Sequence, residues 1–252
     1  STFEGNYFFI DGTDATDPSS GGISTALPYD FIQSVEVKTG GFEAEYGQAL
    51  GAIVNVITPS GGNDFHGQLF GYYTSNHLVS RSANSLQEAP AGDFSAYDIG
   101  GSAGGPIRHD RLWWFLAYNP AWDRREVVVP GIPTQDANAT AHRFAGKLDW
   151  KAADRTDVNL TVVGDPRKSR FVGLPFGGSV DTVFNKDAVL SSATDGGFSV
   201  SLRGLHRLSP RLHLQATCSR AHNVSSFNPV TSVGATEPFF QDLVNNTVSG
   251  GT

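Results

Sequence analysis

The sequence predicts a mainly β protein. A small mixed α/β region covers residues 1–64, and an incomplete antiparallel β-barrel of the transmembrane kind covers residues 65–252. Three observations predict this. After Phe65, segments of about ten residues alternate apolar and polar side chains, as barrel strands with one face in lipid must. The links between these segments alternate short and long. Glycine (29 residues) and proline (13) are abundant, which favours strands and turns over helices.

The first region divides as follows. Tyr7 to Ile10 is a short apolar strand ending in the turn Asp11-Gly12. Asp14 to Gly22 is rich in Asp, Ser, Pro and Gly and predicts loop. Pro28 suits a helix start, and Tyr29 to Ile32 predicts a single helical turn. Ser34 to Lys38 alternates through Val35 and Val37, and Gly40-Gly41 ends it. Ala52 to Thr58 is another strand, followed by a turn cluster over Pro59 to Asn63.

In the second region four segments alternate clearly: Arg143 to Trp150, Asp157 to Gly164, Phe198 to Leu208 and Leu212 to Ser219. Their even positions are apolar, including Phe144, Leu148, Val158, Leu160, Val200, Leu202, Leu212 and Leu214, and predict one lipid-facing surface. The odd positions are mostly polar and put Arg143, Lys147, Arg203 and Arg207 on the lumenal face. Phe65 to Thr74 and Tyr97 to Gly105 alternate more weakly. Arg111 to Asn119 is aromatic on both faces and has no orientation from pattern alone. Pro106–Asp110, Lys151–Arg155 and Ser209–Pro210 read as short turns. Ser75–Phe94, Pro120–Thr140, Asp165–Gly197 and the stretch after Asn223 read as long links. Short and long links alternate this way between the periplasmic turns and extracellular loops of outer-membrane barrels. A soluble β-sandwich gives the same period of two, but with shorter strands and no reason for alternating links.

Bulk properties exclude several classes. The longest apolar run, Leu112 to Tyr118, falls far short of the roughly 18 residues of a membrane helix, so a helical membrane protein is excluded. The net charge of −7 disfavours nucleic acid as a partner. The charge is uneven: residues 1–64 hold nine acids and one base, and the remainder is close to neutral. Cys218 is the single cysteine, which leaves no internal disulfide. Ser1-Thr2-Phe3 carries no signal peptide and Ser249 to Thr252 reads as mid-loop, so a piece of a longer protein is expected.

Particular motifs sharpen the reading. Phe9-Ile10-Asp11-Gly12 resembles the strand end that precedes a DG turn in the plugs of TonB-dependent receptors. Ile32 to Gly40 resembles the plug segment I-x-x-V-E-V-x-x-G. Tyr46 to Thr58 resembles its closing Y-G-x-x-x-G-x-(I/V)-x-N-(I/V)-x-T. Gly41 to Gly47, Gly62 to Gly67 and Gly104 to Ile107 are similar to the Oar-like branch, whose members often carry a carboxypeptidase-regulatory-like domain. The resemblance implies a plug remnant over 1–64 and about seven first barrel strands over 65–252. It assigns the plug motif to Asp11, Gly12, Glu36, Gly40, Gly41, Glu43, Glu45, Tyr46, Gly47, Gly51 and Asn55. It implies active uptake of a scarce solute across the bacterial outer membrane. TonB would engage through a Ton box missing from this piece, outer-membrane lipid would surround the barrel, and no catalysis, cofactor or metal is expected. Solute would bind the extracellular loops and plug apices. A passive porin and a secreted glycan-binding sandwich are the alternatives.

Chemical motifs have plainer explanations. Gly100-Gly101-Ser102-Ala103-Gly104 matches the nucleophile-elbow pattern, but that elbow needs a helix directly after the serine, and Gly105-Pro106 follows here. Asp11, Asp14 and Asp17 lack the spacing of an EF-hand loop and read as turn formers. The seven histidines show no zinc spacing. Cys218 falls on the lipid face, where a small thiol is ordinary. The charge asymmetry predicts that acids of the first region, foremost Glu43 and Glu45, approach Arg143, Lys147, Arg203 and Arg207.

Overall fold

The computed structural model describes residues 5–17, 21–41, 51–79, 92–127, 133–172, 182–183, 190–236, 240–242 and 247–249. Among them the strands fall into three sheets.

The first sheet holds β1 (Tyr7–Ile10), β2 (Thr13–Asp14), β3 (Ser34–Lys38) and β4 (Ile53–Ile57), in the order β2-β1-β4-β3. β1 runs parallel to β4, and β3 is antiparallel to it. A 3-10 turn, Tyr29–Phe31, begins after Pro28. β3 is an exposed edge, with Val35 and Val37 uncovered.

The second sheet is an antiparallel meander: β5 (His66–Ser75), β6 (Phe94–Arg108), β7 (Leu112–Val127), β8 (Gln135–Ala153), β9 (Thr156–Gly164), β10 (Arg167–Val172), β12 (Leu190–Ser209) and β13 (Leu212–Pro229). β9 and β10 share one position. Gly164 faces Phe144 and Phe198, Arg167 faces Ala141 and Asp195, and both registers run on unshifted. Pro166 lacks an amide hydrogen and interrupts what is otherwise one strand. β11 (Thr182–Val183), β14 (Phe240–Asp242) and β15 (Thr247–Ser249) form a small third sheet, and Ser232–Thr236 is a short helix, α1.

The large sheet has a largely apolar outer face, broken on β13 by Arg220 opposite Val200. Trp114, Leu148, Leu160, Leu202 and Cys218 stand opposite one another across β7, β8, β9, β12 and β13. Leu69 is 91% exposed, Leu116 60% and Leu214 62%. A sandwich would bury this face against a second sheet. Here it stays bare, as a lipid-facing surface does. The turns after Arg108, Ala153 and Ser209 lie at one end of the meander, and the strand ends Ser75, Phe94, Val127, Gln135, Val172 and Leu190 lie at the other.

Two expectations need correction. Pro120–Thr140 is mostly strand, because β7 runs to Val127 and β8 starts at Gln135. Asp165–Gly197 likewise contains β10 and the start of β12. These strand ends rise above the lipid-facing band, where both faces can be polar and alternation no longer marks a strand. β7, unoriented from pattern, turns Trp114, Leu116 and Tyr118 outward and Phe115, Ala117 and Asn119 inward; the latter three are buried.

The small sheet packs on the inner face. The shared core joins Ile10, Ala15, Phe31 and Val56 to Phe115, Ala117, Ala145 and Val163 of the large sheet. Alternation predicts a mostly polar lumenal wall, yet Phe115, Ala117, Ala145 and Val163 line it where the first sheet sits.

Candidate functional site, the contact between the small sheet and the barrel wall

The strongest polar contact is built on the turn after β1. Asp11 has φ 49° and Gly12 φ 73°, so the chain reverses through two left-handed residues. Glycine suits that conformation, and Asp tolerates it better than most residues. A methyl group on Gly12 would also strike the Arg203 guanidinium. The turn aims the Asp11 carboxylate at the end of β4. There it accepts hydrogen bonds from the Thr58 amide at 3.0 Å and the Thr58 hydroxyl at 2.5 Å.

The same carboxylate reaches the wall. Lys147 Nζ lies 3.2 Å from Asp11 Oδ1, both side chains being 10% exposed, and donates to the Thr58 carbonyl at 3.3 Å. Arg203 donates to the Asp11 carbonyl. Asn55 accepts from the Gly12 amide at 3.0 Å, and its own amide approaches Glu36 at 3.5 Å. The Asp11-Gly12 turn, Glu36 and Asn55, from three separate stretches of sequence, therefore form one network with Lys147 and Arg203.

A polar cavity of about 630 Å³ adjoins this network, lined by Asp11, Asn55, Lys147, Asp149, Asn159 and Arg203 among others. Asp149 accepts from Asn159 at 2.5 Å, and its other oxygen is buried without a partner among the described residues. Space for water beside a polar contact allows partners to exchange.

The other expected residues lie elsewhere. Arg143 donates to Asn119 at 3.1 Å, and Asn119 donates to Asp98 at 2.9 Å, a ladder within the wall. Arg207 pairs with Asp157 on the adjacent strand at 2.7 Å. Their face follows from alternation, but their contacts depend on neighbours that alternation does not specify. Gly51 lies at the opposite end of β4, donating its amide to the Gly5 carbonyl at 2.8 Å. Gly40 and Gly41 follow β3 on the exposed edge. Glu43, Glu45, Tyr46 and Gly47 lie outside the described residues.

Sequence reasoning missed a second contact. Phe31, fully buried, meets Phe70 edge to face with ring centroids 6.3 Å apart. Beside it Asp30 accepts from Gln68 at 3.0 Å and from the Tyr72 hydroxyl at 3.2 Å. The Ala26 amide donates to Asp165 at 2.7 Å. At the turn end, Asn63 accepts from the Trp113 indole at 2.8 Å and from the Asp110 amide at 3.0 Å. A strongly apolar residue beside an acid in the 28–32 turn was the available signal.

Comparison with known proteins bears on this arrangement. Residues 57–195 match the family described as outer membrane beta barrel domain. The TonB-dependent transporter Oar of Myxococcus xanthus is 31% identical over 227 residues, covering 83% of this chain and 20% of that protein. A probable TonB-dependent siderophore receptor, PirA of Acinetobacter baumannii, is 28% identical over 60% of this chain and 19% of its own length. The chain thus spans about a fifth of the length of these curated relatives. Among solved structures, the outer membrane transporter YddB of Escherichia coli superposes with a TM-score of 0.71 at 14% identity, over 89% of this chain and 32% of that one. The siderophore receptor PirA of Acinetobacter baumannii superposes with a TM-score of 0.52 at 18% identity, over 95% and 38%.

Proposed function

The chain belongs to the outer membrane beta barrel domain family and resides in the bacterial outer membrane, and from that premise we propose that it is part of a receptor for TonB-dependent active uptake of a scarce solute. In this reading residues 1–64 are the C-terminal part of a plug, and residues 65–252 are the first strands of the barrel around it. The observation that carries the reading is the inner face of the wall. A folded sheet sits there, held by Phe31 in an apolar seat and by Asp11 against Lys147 and Arg203. A passive porin has no use for a folded domain fastened inside its wall.

Import needs this domain to be held at rest and displaced under load. The apolar seat is non-directional and fixes position. The ion pair beside a polar cavity can exchange partners with water as the sheet shifts. TonB, pulling on a segment upstream of this chain, would supply the work.

Two measurements on the full-length receptor in cells test the reading. Deleting residues 7–58 is expected to admit vancomycin, whether or not TonB is present. Unchanged exclusion at normal receptor levels would overturn the plug assignment. Photocrosslinking to the periplasmic domain of TonB is expected to capture the intact receptor, and its absence would overturn the energised mechanism.

A further inference from the structure

The outer face of the barrel wall changes character abruptly at one height. Tyr73, Tyr97 and Trp122 stand in one row across β5, β6 and β7. The Tyr97 and Trp122 rings stack with centroids 5.1 Å apart. This row closes the apolar band at the long-link end, where an interfacial aromatic girdle belongs. The same row continues through Thr140 to Lys168. Two residues further along the strands, Arg124, Asn138 and Arg170 form the next row.

All three bases share the parity of the lipid-facing side chains, and all three are exposed. Arg124 and Arg170 flank Asn138, so their backbones are about 10 Å apart, and their long side chains line one cavity of about 580 Å³. They lie level with the girdle or about 7 Å along the strand beyond it. Arg124 also contacts Asp136 at 3.2 Å, with side chains 61% and 50% exposed. A pair that exposed contributes little and yields readily to a better anion. Glu126 and Asp136 occupy the following row, one step farther from the apolar band than Arg124 and Arg170.

We propose that Lys168, Arg170 and Arg124 form a docking site for the phosphorylated glycolipid of the outer leaflet, with its acyl chains lying on the apolar face beneath. Phosphate is matched by arginine through paired hydrogen bonds and by lysine as a point charge. A basic cluster outside the lumen, on a chain of net charge −7, has no evident role toward a solute inside it. The site stands whether or not the barrel imports by a TonB-dependent route.

Native mass spectrometry of the full-length receptor, exchanged into non-ionic detergent and incubated with diphosphoryl lipid A, tests this. The K168Q/R170Q variant is expected to retain at least fivefold less lipid A than the wild type, and R124Q to deepen the loss. The R125Q/R167Q variant moves the same charges on the opposite face, one residue away on each strand. It is expected to retain lipid A normally. Heat-modifiable gel mobility establishes that each variant is folded, and single K168Q and R170Q variants replace the double one if it is not. Equal retention by wild type and K168Q/R170Q would overturn the proposal, as would equal loss from the R125Q/R167Q pair. Displacement by 10 mM inorganic phosphate, or equal retention of phosphatidylglycerol, would overturn the assignment to a glycolipid.

Discussion

Asp11 illustrates how much depends on one carboxylate. It joins the ends of β1 and β4 through Thr58 and joins both to Lys147 of the wall. Removing one member of a pair this buried leaves the other charge uncompensated, at a cost of about 3 to 5 kcal/mol. The exposed Arg124–Asp136 pair, by contrast, contributes under about 1 kcal/mol. D11N is therefore expected to loosen the small sheet far more than D136N does. Limited proteolysis of the full-length receptor across a urea series measures this. K147M should cost clearly less when added to D11N than alone, because the two residues share one interaction. Strict additivity would show that Lys147 owes its place to something other than Asp11. Asp11 was legible as a motif residue, since a DG turn after a short strand is a sequence pattern. Its partner was not, because parity gives the face of Lys147 and leaves open which acid it meets.

At the scale of elements, the turn Tyr29–Phe31 and the strands of the wall behave differently. Phe31 packs edge to face on Phe70 of the inner wall and is fully buried. F31A is expected to destabilise the seat by about 3 to 5 kcal/mol through the cavity it leaves. The same proteolysis series reads it, and F31L should recover most of the loss. For the strands, the two faces make opposite demands. L160R puts a charge in the middle of the lipid-facing band and should cost about 2 to 4 kcal/mol. Q215R, on the face that lines the polar cavity, should cost little. The folded fraction in lipid vesicles against urea separates them, and equal costs would contradict the assignment of faces. The strands within the bilayer were legible because lipid on one side enforces a period of two. Their upper ends were not. Residues 123–127, 135–139 and 190–193 lie beyond the girdle row, both faces can be polar, and a charged stretch such as Asp123 to Glu126 reads as a loop. The seat of Phe31 was hidden for another reason: three residues are too short for a period, and the small alanines that receive it carry no signal of their own.

At the scale of the whole molecule, a meander fixes which turns share an end, but only the membrane fixes which end faces out. The turns at 109–111, 154–155 and 210–211 lie together, and the strand ends Val127 and Gln135 lie opposite them. Short turns face the periplasm in barrels of this kind, so the girdle of Tyr73, Tyr97 and Trp122 belongs to the outer leaflet. The small sheet supports the same orientation, because its exit through Asn63 is tied to Asp110 and Trp113 at the short-turn end. Cys218 is the only native thiol and sits on the outer face level with Leu202. C218S therefore provides a thiol-free background. In the full-length receptor, T134C is expected to react with a membrane-impermeant maleimide on intact cells, because Thr134 is exposed beside the long link. D154C, in a short turn, should react only after the outer membrane is permeabilised. The reverse pattern would invert the barrel and move Lys168, Arg170 and Arg124 to the periplasmic leaflet, where the glycolipid is absent. The labelling thus decides at once the direction of the barrel and which leaflet those three bases meet.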